Sequence, residues 1–208
     1  MGIPIIIILG WLQYRYKDSE NILKILLPKC KESQIVNEIV LLVFISIFVK
    51  LIVFSISMYS LILWVHSDMT LYYNYVNYAV SGQIPYIDYI VEYPKLFFIP
   101  VFIAEIPSFI IHNSSVYYHS FIIMMYLVDT ATLMCVYFIA VKLFGKEKAL
   151  LCGLLYATAF TPAFLLSITY DSIPTFLLTF SIFLYLYGKE IPAYVSATVG
   201  ALTKWFPV

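Results

Sequence analysis

Ionisable side chains stand at the borders of apolar segments in this chain, where they are least expected. The stretch SGQIPYIDYIVEYPKLFFIP, residues 81–100, gathers three of them among tyrosines and prolines. A charged group so close to hydrocarbon is costly unless it has a partner or lines a water-filled cavity. The candidate site residues that share this placement are Asp68, Asp88, Glu92, Lys95, Asp171 and Lys204.

Carboxylates and lysines at a membrane surface could together carry out a group transfer. A carboxylate can take the proton of an acceptor hydroxyl while a lipid-linked phosphate leaves, and a nearby cation stabilises that phosphate. Asp68 and Glu92 are the predicted catalytic acids. Lys95 and Lys204 are placed to meet the phosphate. For Asp68 and Asp171 the alternative is a purely structural role as caps of the helices that follow them.

The composition predicts an all-α membrane protein. Of the 208 residues, 62% are hydrophobic and only 12% are charged, and the mean hydropathy is +0.92. A soluble domain of this size needs far more polar surface, whereas apolar runs of about 20 residues match the thickness of a bilayer core. The expected fold class is a polytopic transmembrane helical bundle.

The apolar segments divide the chain into an N-terminal segment and a transmembrane domain of about five spans. Residues 1–38 are expected to be cytoplasmic or interfacial, and residues 39–208 to form the transmembrane domain. An outer loop, residues 66–112, follows the first span. The expected spans are residues 39–65, 116–144, 149–168, 173–187 and a last one that begins near residue 191.

The basic residues predict the orientation, because cytoplasmic loops carry the excess of lysine and arginine. Five of them precede the first span, and three more lie in KLFGKEK, residues 142–148. Both groups should be cytoplasmic, so the N-terminus is inside. The apolar segment 96–112, which contains Pro100 and Pro107, is then a Pro-broken helix or a re-entrant segment on the outer side. The alternative is a true span that violates the charge rule.

The outer loop is rich in tyrosine, with seven of the 19 tyrosines between Tyr72 and Tyr93. Tyrosine favours the headgroup level of a membrane. Residues 69–80 are therefore expected to form a helix in the interface, and Gly82 is expected to end it. An aromatic belt with a few solvated acids is the simpler interpretation of this loop. In the predicted orientation all the candidate acids gather at one membrane surface.

Two charges, Lys50 and Asp129, lie near the middle of the first and second predicted spans. An isolated charge at that depth costs roughly 2.5 to 3.5 kcal/mol on insertion scales. We expect the two side chains to pair as a structural device, with a proton or ion pathway as the alternative.

An acid after the first span, followed by G-x-x-PY-x-D-x-x-x-EYP, resembles the multi-spanning GT-C class of glycosyltransferases, whose donors are polyprenyl-phosphate-linked sugars. SDMTLYYNYVNYAVSGQIPYIDYIVEYPKL is most similar to prokaryotic mannosyltransferase-like members. DSIP, residues 171–174, and TKWFP, residues 203–207, are also similar to that group. The resemblance covers roughly residues 60–208 and implies the N-terminal portion of such an enzyme.

The resemblance implies juxtamembrane helices in the first outer loop and roles for individual residues. Asp68 matches the catalytic aspartate of that loop and becomes the favoured general base. Glu92 matches the acid of the EYP element, and Asp88 matches the PY-x-D acid. Lys204 matches the lysine of the later motif. Lys95 stands where the family usually has proline, so its role depends on its position alone.

The resulting expectation is a membrane hexosyltransferase. It would move a sugar, with mannose favoured, from a polyprenyl phosphate carrier to an acceptor glycan, lipid or protein on the non-cytoplasmic side. Its expected setting is a prokaryotic plasma membrane, with membrane lipids as partners. The competing interpretation is a non-catalytic transporter or flippase component, in which Lys50 and Asp129 would carry the function.

Other site classes have little support in the sequence. No Gly-rich phosphate loop is present, and no nucleic-acid-binding signature appears. The three histidines do not have the spacing of metal ligands. The residues assign no cofactor. Four of the candidate residues are acids and could together bind a divalent ion: Asp68, Asp88, Glu92 and Asp171.

Overall fold

The computed structural model describes residues 32–59, 68–159, 164 and 169–204. In these ranges all regular structure is helical apart from one isolated bridge between Pro85 and Tyr89, so the predicted all-α class is confirmed. The helices are α1 (Glu32–Tyr59), α2 (Asp68–Val80), a 3-10 helix (Lys95–Phe97), α3 (Phe98–Ile111), α4 (Ser115–Phe144), α5 (Lys146–Ala157), α6 (Ser172–Leu186) and α7 (Glu190–Thr203).

Two of these helices are long and apolar enough to cross a membrane. The segment Gln34–Ile56 of α1 has 23 residues, and α4 has 30. At about 1.5 Å per residue both exceed a bilayer core of about 30 Å. Large apolar side chains of α1 such as Val40 and Phe44 are exposed, as expected of a surface that faces lipid.

The start of α1 differs from the prediction. The first span was expected at residues 39–65, whereas the helix begins at Glu32 and is described to Tyr59. Residues 39–204 belong to one compact unit, and residues 32–38 form the first turns of α1. The rest of the predicted N-terminal segment lies outside the described residues.

α5 is shorter than the apolar pattern indicated. α5 ends at Ala157 after 12 residues, about 18 Å, although its span was expected to continue to residue 168. The hydroxyl of Thr158 donates a hydrogen bond to the carbonyl of Leu154 at 2.8 Å, which satisfies one of the last acceptors of the helix. Of residues 160–168, the structure describes only residue 164. α6 and α7 each begin one residue before the predicted start.

α4 is the central helix, because α3, α5 and α6 pack against it, and α6 also pairs with α7. α6 and α7 are antiparallel, because Lys204 at the end of α7 meets Asp171 at the start of α6. Gly145 alone separates α4 from α5, with a φ of 83° that a side chain would strain. At Gly200 a Cβ would lie 3.2 Å from Leu177 Cβ, so α7 approaches α6 closely.

The turns between the helices place an excess of lysines at one end of the helices. At one end the α4–α5 and α6–α7 connections meet: Lys142 Nζ lies 5.5 Å from the ring centre of Tyr187, whose hydroxyl donates to the carbonyl of Phe138 at 3.3 Å. Asp171 directly precedes α6 and Lys204 directly follows α7, so both residues lie at the end of this helix pair that is away from the α6–α7 connection. The lysine-rich end carries Lys142, Lys146, Lys148 and Lys189.

Residues 68–112 fold onto the end opposite the lysine-rich end. α2 spans Asp68–Val80, which confirms the helix predicted for residues 69–80, and Gly82 follows with a φ of 93°. The buried face of α2 repeats at helical spacing and joins an aromatic core with residues from α4 and the 3-10 helix. That face consists of Met69, Tyr72, Tyr75 and Val76.

α3 occupies most of the segment 96–112, whose crossing of the membrane the sequence left open. Its 14 residues span about 21 Å, less than a bilayer core of about 30 Å, and Pro107 lies inside it. The helix ends at Ile111, and its C-cap His112 adopts a left-handed φ of 55°. α4 begins three residues after His112 and packs against α3. The re-entrant or outer location of this helix stays a prediction.

Candidate functional site

The hydroxyl of Tyr72, a fully buried residue, is the centre of the candidate site. Asp68 and Tyr72 are four residues apart on α2 and therefore share a face of the helix. Tyr72 Oη donates a hydrogen bond to Asp68 Oδ2 at 3.3 Å. It also lies 3.1 Å from the hydroxyl oxygen of Tyr93. The Asp68 carboxylate is thus linked through the buried phenol of Tyr72 to the phenol of Tyr93.

A salt bridge joins the ends of α6 and α7 beside these tyrosines. Asp171 stands at the N-cap of α6 and Lys204 at the C-cap of α7, and the antiparallel pairing of the helices brings them together. Lys204 Nζ donates to Asp171 Oδ1, so this carboxylate pairs with a lysine instead of capping its helix. Lys204 Nζ also lies 5.9 Å from the ring centre of Tyr93.

Aromatic packing holds the site in place. Tyr93 stacks on Phe97 with 4.4 Å between ring centres, and Tyr72 meets Phe97 and Tyr170 edge-on at 5.0 Å and 6.2 Å. Such pairs contribute about 0.5–1.5 kcal/mol each beyond their buried area. Because Tyr170 directly precedes Asp171, the same packing positions the salt bridge.

Both phenols of the site remain protonated at physiological pH. Burial raises the pKa of Tyr72 well above its ordinary value, and the hydrogen bond with Tyr93 and the carboxylates of Asp68 and Asp171 raise it further. Burial also raises the pKa of Tyr93, against an opposing effect of its hydrogen bond with Tyr72. The two hydroxyls therefore act as hydrogen-bond donors and not as bases.

Three of the six predicted residues come together here: Asp68, Asp171 and Lys204. Tyr72 and Tyr93 belong to the same group, although the sequence indicated for them only an aromatic belt. The four-residue spacing of Asp68 and Tyr72 is a signal that could have revealed the first contact. No local signal indicates the contacts of Tyr93 with Tyr72 and Lys204, because both residues are distant from it in the sequence.

The other three predicted residues are exposed on the segment before α3. Glu92 directly precedes Tyr93; burial raises the pKa of Tyr93, and the charge of Glu92 adds to this effect. Asp88 is exposed, and its carboxylate accepts a hydrogen bond from the Ile84 N–H at 2.6 Å, which closes a tight turn. Glu92 and Lys95 are also exposed. The pKa of Tyr75 is raised, mainly by burial and also by the charge of Glu92. Asp88 thus shapes the loop, and Glu92 acts on its surroundings by charge.

The four acids do not form a metal site in the described ranges. Among the residues that the structure describes, no three His, Cys, Asp or Glu side chains are grouped as metal ligands would be. The two acids that face the same phenol, Asp68 and Asp171, interact with Tyr72 and Lys204. The described residues therefore offer a divalent ion no ready coordination shell.

A second polar cluster lies between the two long helices. Lys50 Nζ is 2.7 Å from Asp129 Oδ2, and the two side chains are 5% and 7% exposed. Tyr156 donates a hydrogen bond to Asp129 Oδ1 at 2.7 Å, and Lys50 donates to Thr130 Oγ1 at 3.2 Å. The predicted pairing of Lys50 with Asp129 is confirmed. Tyr156 adds α5 to the cluster, which the sequence did not indicate.

These features define an all-helical protein with two helices able to cross a membrane and a carboxylate–tyrosine–lysine cluster at one end of its helices. Searches against family models, curated proteins and solved structures returned no match for the chain. The resemblance to the GT-C class accordingly stays a prediction.

Proposed function

We propose that the protein is an integral membrane glycosyltransferase of the GT-C type. It transfers a sugar, with mannose favoured, from a polyprenyl phosphate carrier to an acceptor on the non-cytoplasmic side. The observation that carries the proposal is the meeting of Asp68 and the Asp171–Lys204 pair around the phenols of Tyr72 and Tyr93. A base and a cation in one cluster are what such a transfer needs.

In the proposed reaction Asp68 accepts the proton of the acceptor hydroxyl, while the oxygen of that hydroxyl forms a bond to the anomeric carbon. The bond between this carbon and the phosphate oxygen breaks, and its electron pair leaves with the phosphate. Lys204 stabilises the departing negative charge. The side chains of Lys204 and Asp171 are 28% and 43% exposed, so a ligand can reach the ammonium.

The remaining predicted residues surround the acceptor in this proposal. Asp88 and Glu92 are exposed on the loop before α3, where their carboxylates can bind the hydroxyls of an acceptor glycan, lipid or protein. Lys95, also exposed, adds positive charge at the start of the 3-10 helix. These roles depend on position and on the family resemblance.

The sorting of charge between the helix ends supports a multi-pass topology. By the positive-inside rule the lysine-rich end faces the cytoplasm. The candidate site is at the other end of α6 and α7 and then faces outward. The same rule favours a cytoplasmic N-terminus, and the family resemblance favours a prokaryotic plasma membrane as the setting.

The competing function, a transporter or flippase component built on Lys50 and Asp129, has less support. Each of the two charges has a second partner, Thr130 for Lys50 and Tyr156 for Asp129. Ion and proton pathways use buried charges that face a water-filled cavity, whereas these side chains are almost fully buried. A structural role fits the cluster better.

A transfer assay in proteoliposomes tests the proposal. The full chain is reconstituted with radiolabelled mannosyl polyprenyl phosphate and an extract of prokaryotic envelope lipids and glycans. The unsubstituted protein should move label to a new product, and Asp68→Asn should lower the rate by about 100-fold or more. Glu147→Gln, an exposed acid at the lysine-rich end, is the matched control and should keep the rate.

Two outcomes would contradict the proposal. One is a donor that the unsubstituted protein leaves unchanged, and the other is an Asp68→Asn variant that is as active as the unsubstituted protein. If Lys50→Met alone abolished movement of the labelled lipid across the bilayer, and Asp68→Asn did not affect it, the transporter function would replace the enzyme.

A further inference from the structure

Tyr93 contacts both halves of the candidate site. The centre of its ring lies 5.9 Å from Lys204 Nζ, and its hydroxyl lies 3.1 Å from the hydroxyl of Tyr72. The ring also stacks on Phe97 with an interplanar angle of 17°. One side chain therefore meets the cation, the phenol that binds Asp68 and the aromatic core.

The hydrogen bonds that begin at Tyr93 have a defined direction. Tyr72 Oη donates its only proton to Asp68 Oδ2, so in its contact with Tyr93 it is the acceptor. The donors then run from Tyr93 to Tyr72 and end on the carboxylate of Asp68. Burial raises the pKa of both phenols, which keeps both donor protons in place near neutral pH.

The backbone of Tyr93 is also held in place. Tyr86 Oη donates a hydrogen bond to the Tyr93 carbonyl at 2.6 Å, and the next residue, Pro94, is buried and accepts from the Phe97 N–H at 3.0 Å. Tyr86 itself has a left-handed φ of 68°. A non-glycine residue keeps such a conformation only where its surroundings enforce it, and here the Tyr86 ring packs against Phe98.

We propose that Tyr93 is a positioning residue that couples Lys204 to Asp68. Its ring face holds the ammonium by a cation–π contact, and its hydroxyl, acting through Tyr72, orients the carboxylate. The coupling is a property of the folded protein. Its effect on sugar transfer, where it keeps base and cation at a constant spacing, rests on the function proposed above.

A spectroscopic experiment tests the coupling without reference to any reaction. The lysines of the full chain in nanodiscs are reductively methylated with ¹³C, and the Lys204 signal is assigned by its loss in Lys204→Arg. In the unsubstituted protein the N-methyl protons should show Overhauser contacts with the Tyr93 ring. The signal should move in Tyr93→Leu, which removes the ring current, and stay in place in Tyr93→Phe, which keeps the ring.

Steady-state kinetics separate the hydroxyl from the ring. Tyr93→Phe and Tyr72→Phe each break the donor chain but keep the aromatic packing, and each should lower kcat about ten-fold with the donor KM unchanged. Tyr93→Leu should also raise the donor KM, because Lys204 loses the ring that holds it. Tyr194→Phe, which alters an exposed phenol on α7, is the control and should match the unsubstituted protein.

Each result decides a separate claim. Missing Overhauser contacts, or a Lys204 signal that is the same in Tyr93→Leu, would overturn the coupling. If Tyr93→Leu does not fold, the contacts in the unsubstituted protein decide alone. Normal kcat in both phenylalanine variants would overturn the role of the hydroxyls. A chain that transfers no sugar refutes the proposed function, while the spectroscopic result still decides whether Tyr93 couples the two groups.

Discussion

Replacement of Lys50 by methionine tests the packing between the two long helices. The pair that it breaks is 2.7 Å apart, with side chains only 5% and 7% exposed. Asp129 keeps the hydrogen bond from Tyr156 but loses its cation. A buried charge left without its partner costs about 3–5 kcal/mol. We therefore expect Lys50→Met to lower the free energy of unfolding by about 3–5 kcal/mol.

The opposite single substitution and the double variant complete a thermodynamic cycle. Asp129→Asn leaves the Lys50 ammonium with Thr130 as its remaining acceptor, and a loss of similar size is expected. The double variant has no unpaired charge, because both members of the pair are gone. Its loss should be smaller than the sum of the two single losses by about 2–3 kcal/mol.

Thermal unfolding in lipid nanodiscs, followed by far-ultraviolet circular dichroism, measures these losses. For a chain of this size, about 1 kcal/mol corresponds to roughly 2–4 °C in Tm. Lys148→Met, which removes an exposed lysine, is the matched control and should stay within about 0.5 kcal/mol. Single losses that simply add in the double variant would refute the coupling, and the two charges would then be independent of each other.

Three smaller perturbations test the helix contacts and the site. Gly200→Leu should cost about 1–3 kcal/mol in thermal unfolding, because its Cβ would lie 3.2 Å from Leu177 Cβ. Asp88→Ala should speed amide hydrogen exchange at Ile84, whose N–H loses its acceptor. The pKa of Tyr72 is raised from 10.0 in the folded protein, so stability should fall as the pH rises above 10.0. Tyr72→Phe should reduce that slope by about 1.4 kcal/mol per pH unit.

Each of these expectations has a contradicting result. An unchanged Tm for Gly200→Leu would mean that α6 and α7 do not approach closely. Unchanged exchange at Ile84 in Asp88→Ala would mean that the turn does not depend on this carboxylate. An equal pH slope with and without the Tyr72 hydroxyl would mean that this phenol ionises as readily in the folded protein as in the unfolded chain.

Helix ends could be predicted where local signals mark them. α2 begins at Asp68, where the sequence has Ser67 and Asp68, two residues of the types that favour helix starts. Gly82 supplies the positive φ that lets the chain turn after the helix. α4 begins within one residue of the prediction and ends at Phe144 as predicted, because the apolar run stops at the lysine cluster. The end of α5 was missed, since the apolar run continues beyond Ala157 while the helix does not.

Contacts between distant residues could be predicted only where the physics leaves few choices. Lys50 and Asp129 were paired correctly because a charge in hydrocarbon needs an opposite charge, and each stands alone in the middle of a span. The phenol pair of Tyr72 and Tyr93 was missed, because 19 tyrosines offer many equivalent partners. The approach of Lys204 to Tyr93 depends on how α7 packs against the 3-10 helix that follows Tyr93, which no local pattern encodes.

The proposed outward orientation of the site requires that the two ends of α4 lie on opposite sides of the bilayer. α4 has 30 residues and is about 45 Å long, more than a bilayer core of about 30 Å. Asn113 precedes it and Lys148 follows it, and both are exposed. With the native cysteines replaced by serine, a membrane-impermeant maleimide should label Asn113→Cys in intact cells. Lys148→Cys should react only after the membrane is opened.

Asp171→Cys ties this topology to the chemistry of the site. Asp171 and Asp68 both act on the phenol of Tyr72, so Asp171→Cys should react from the same side as Asn113→Cys. Reaction of Asn113→Cys and Lys148→Cys from one side would mean that α4 does not cross. Reaction of Asp171→Cys and Asn113→Cys from opposite sides would place Lys204, the residue proposed to stabilise the departing phosphate, away from the outer surface. No acceptor on that surface could then receive a sugar whose phosphate leaves toward Lys204.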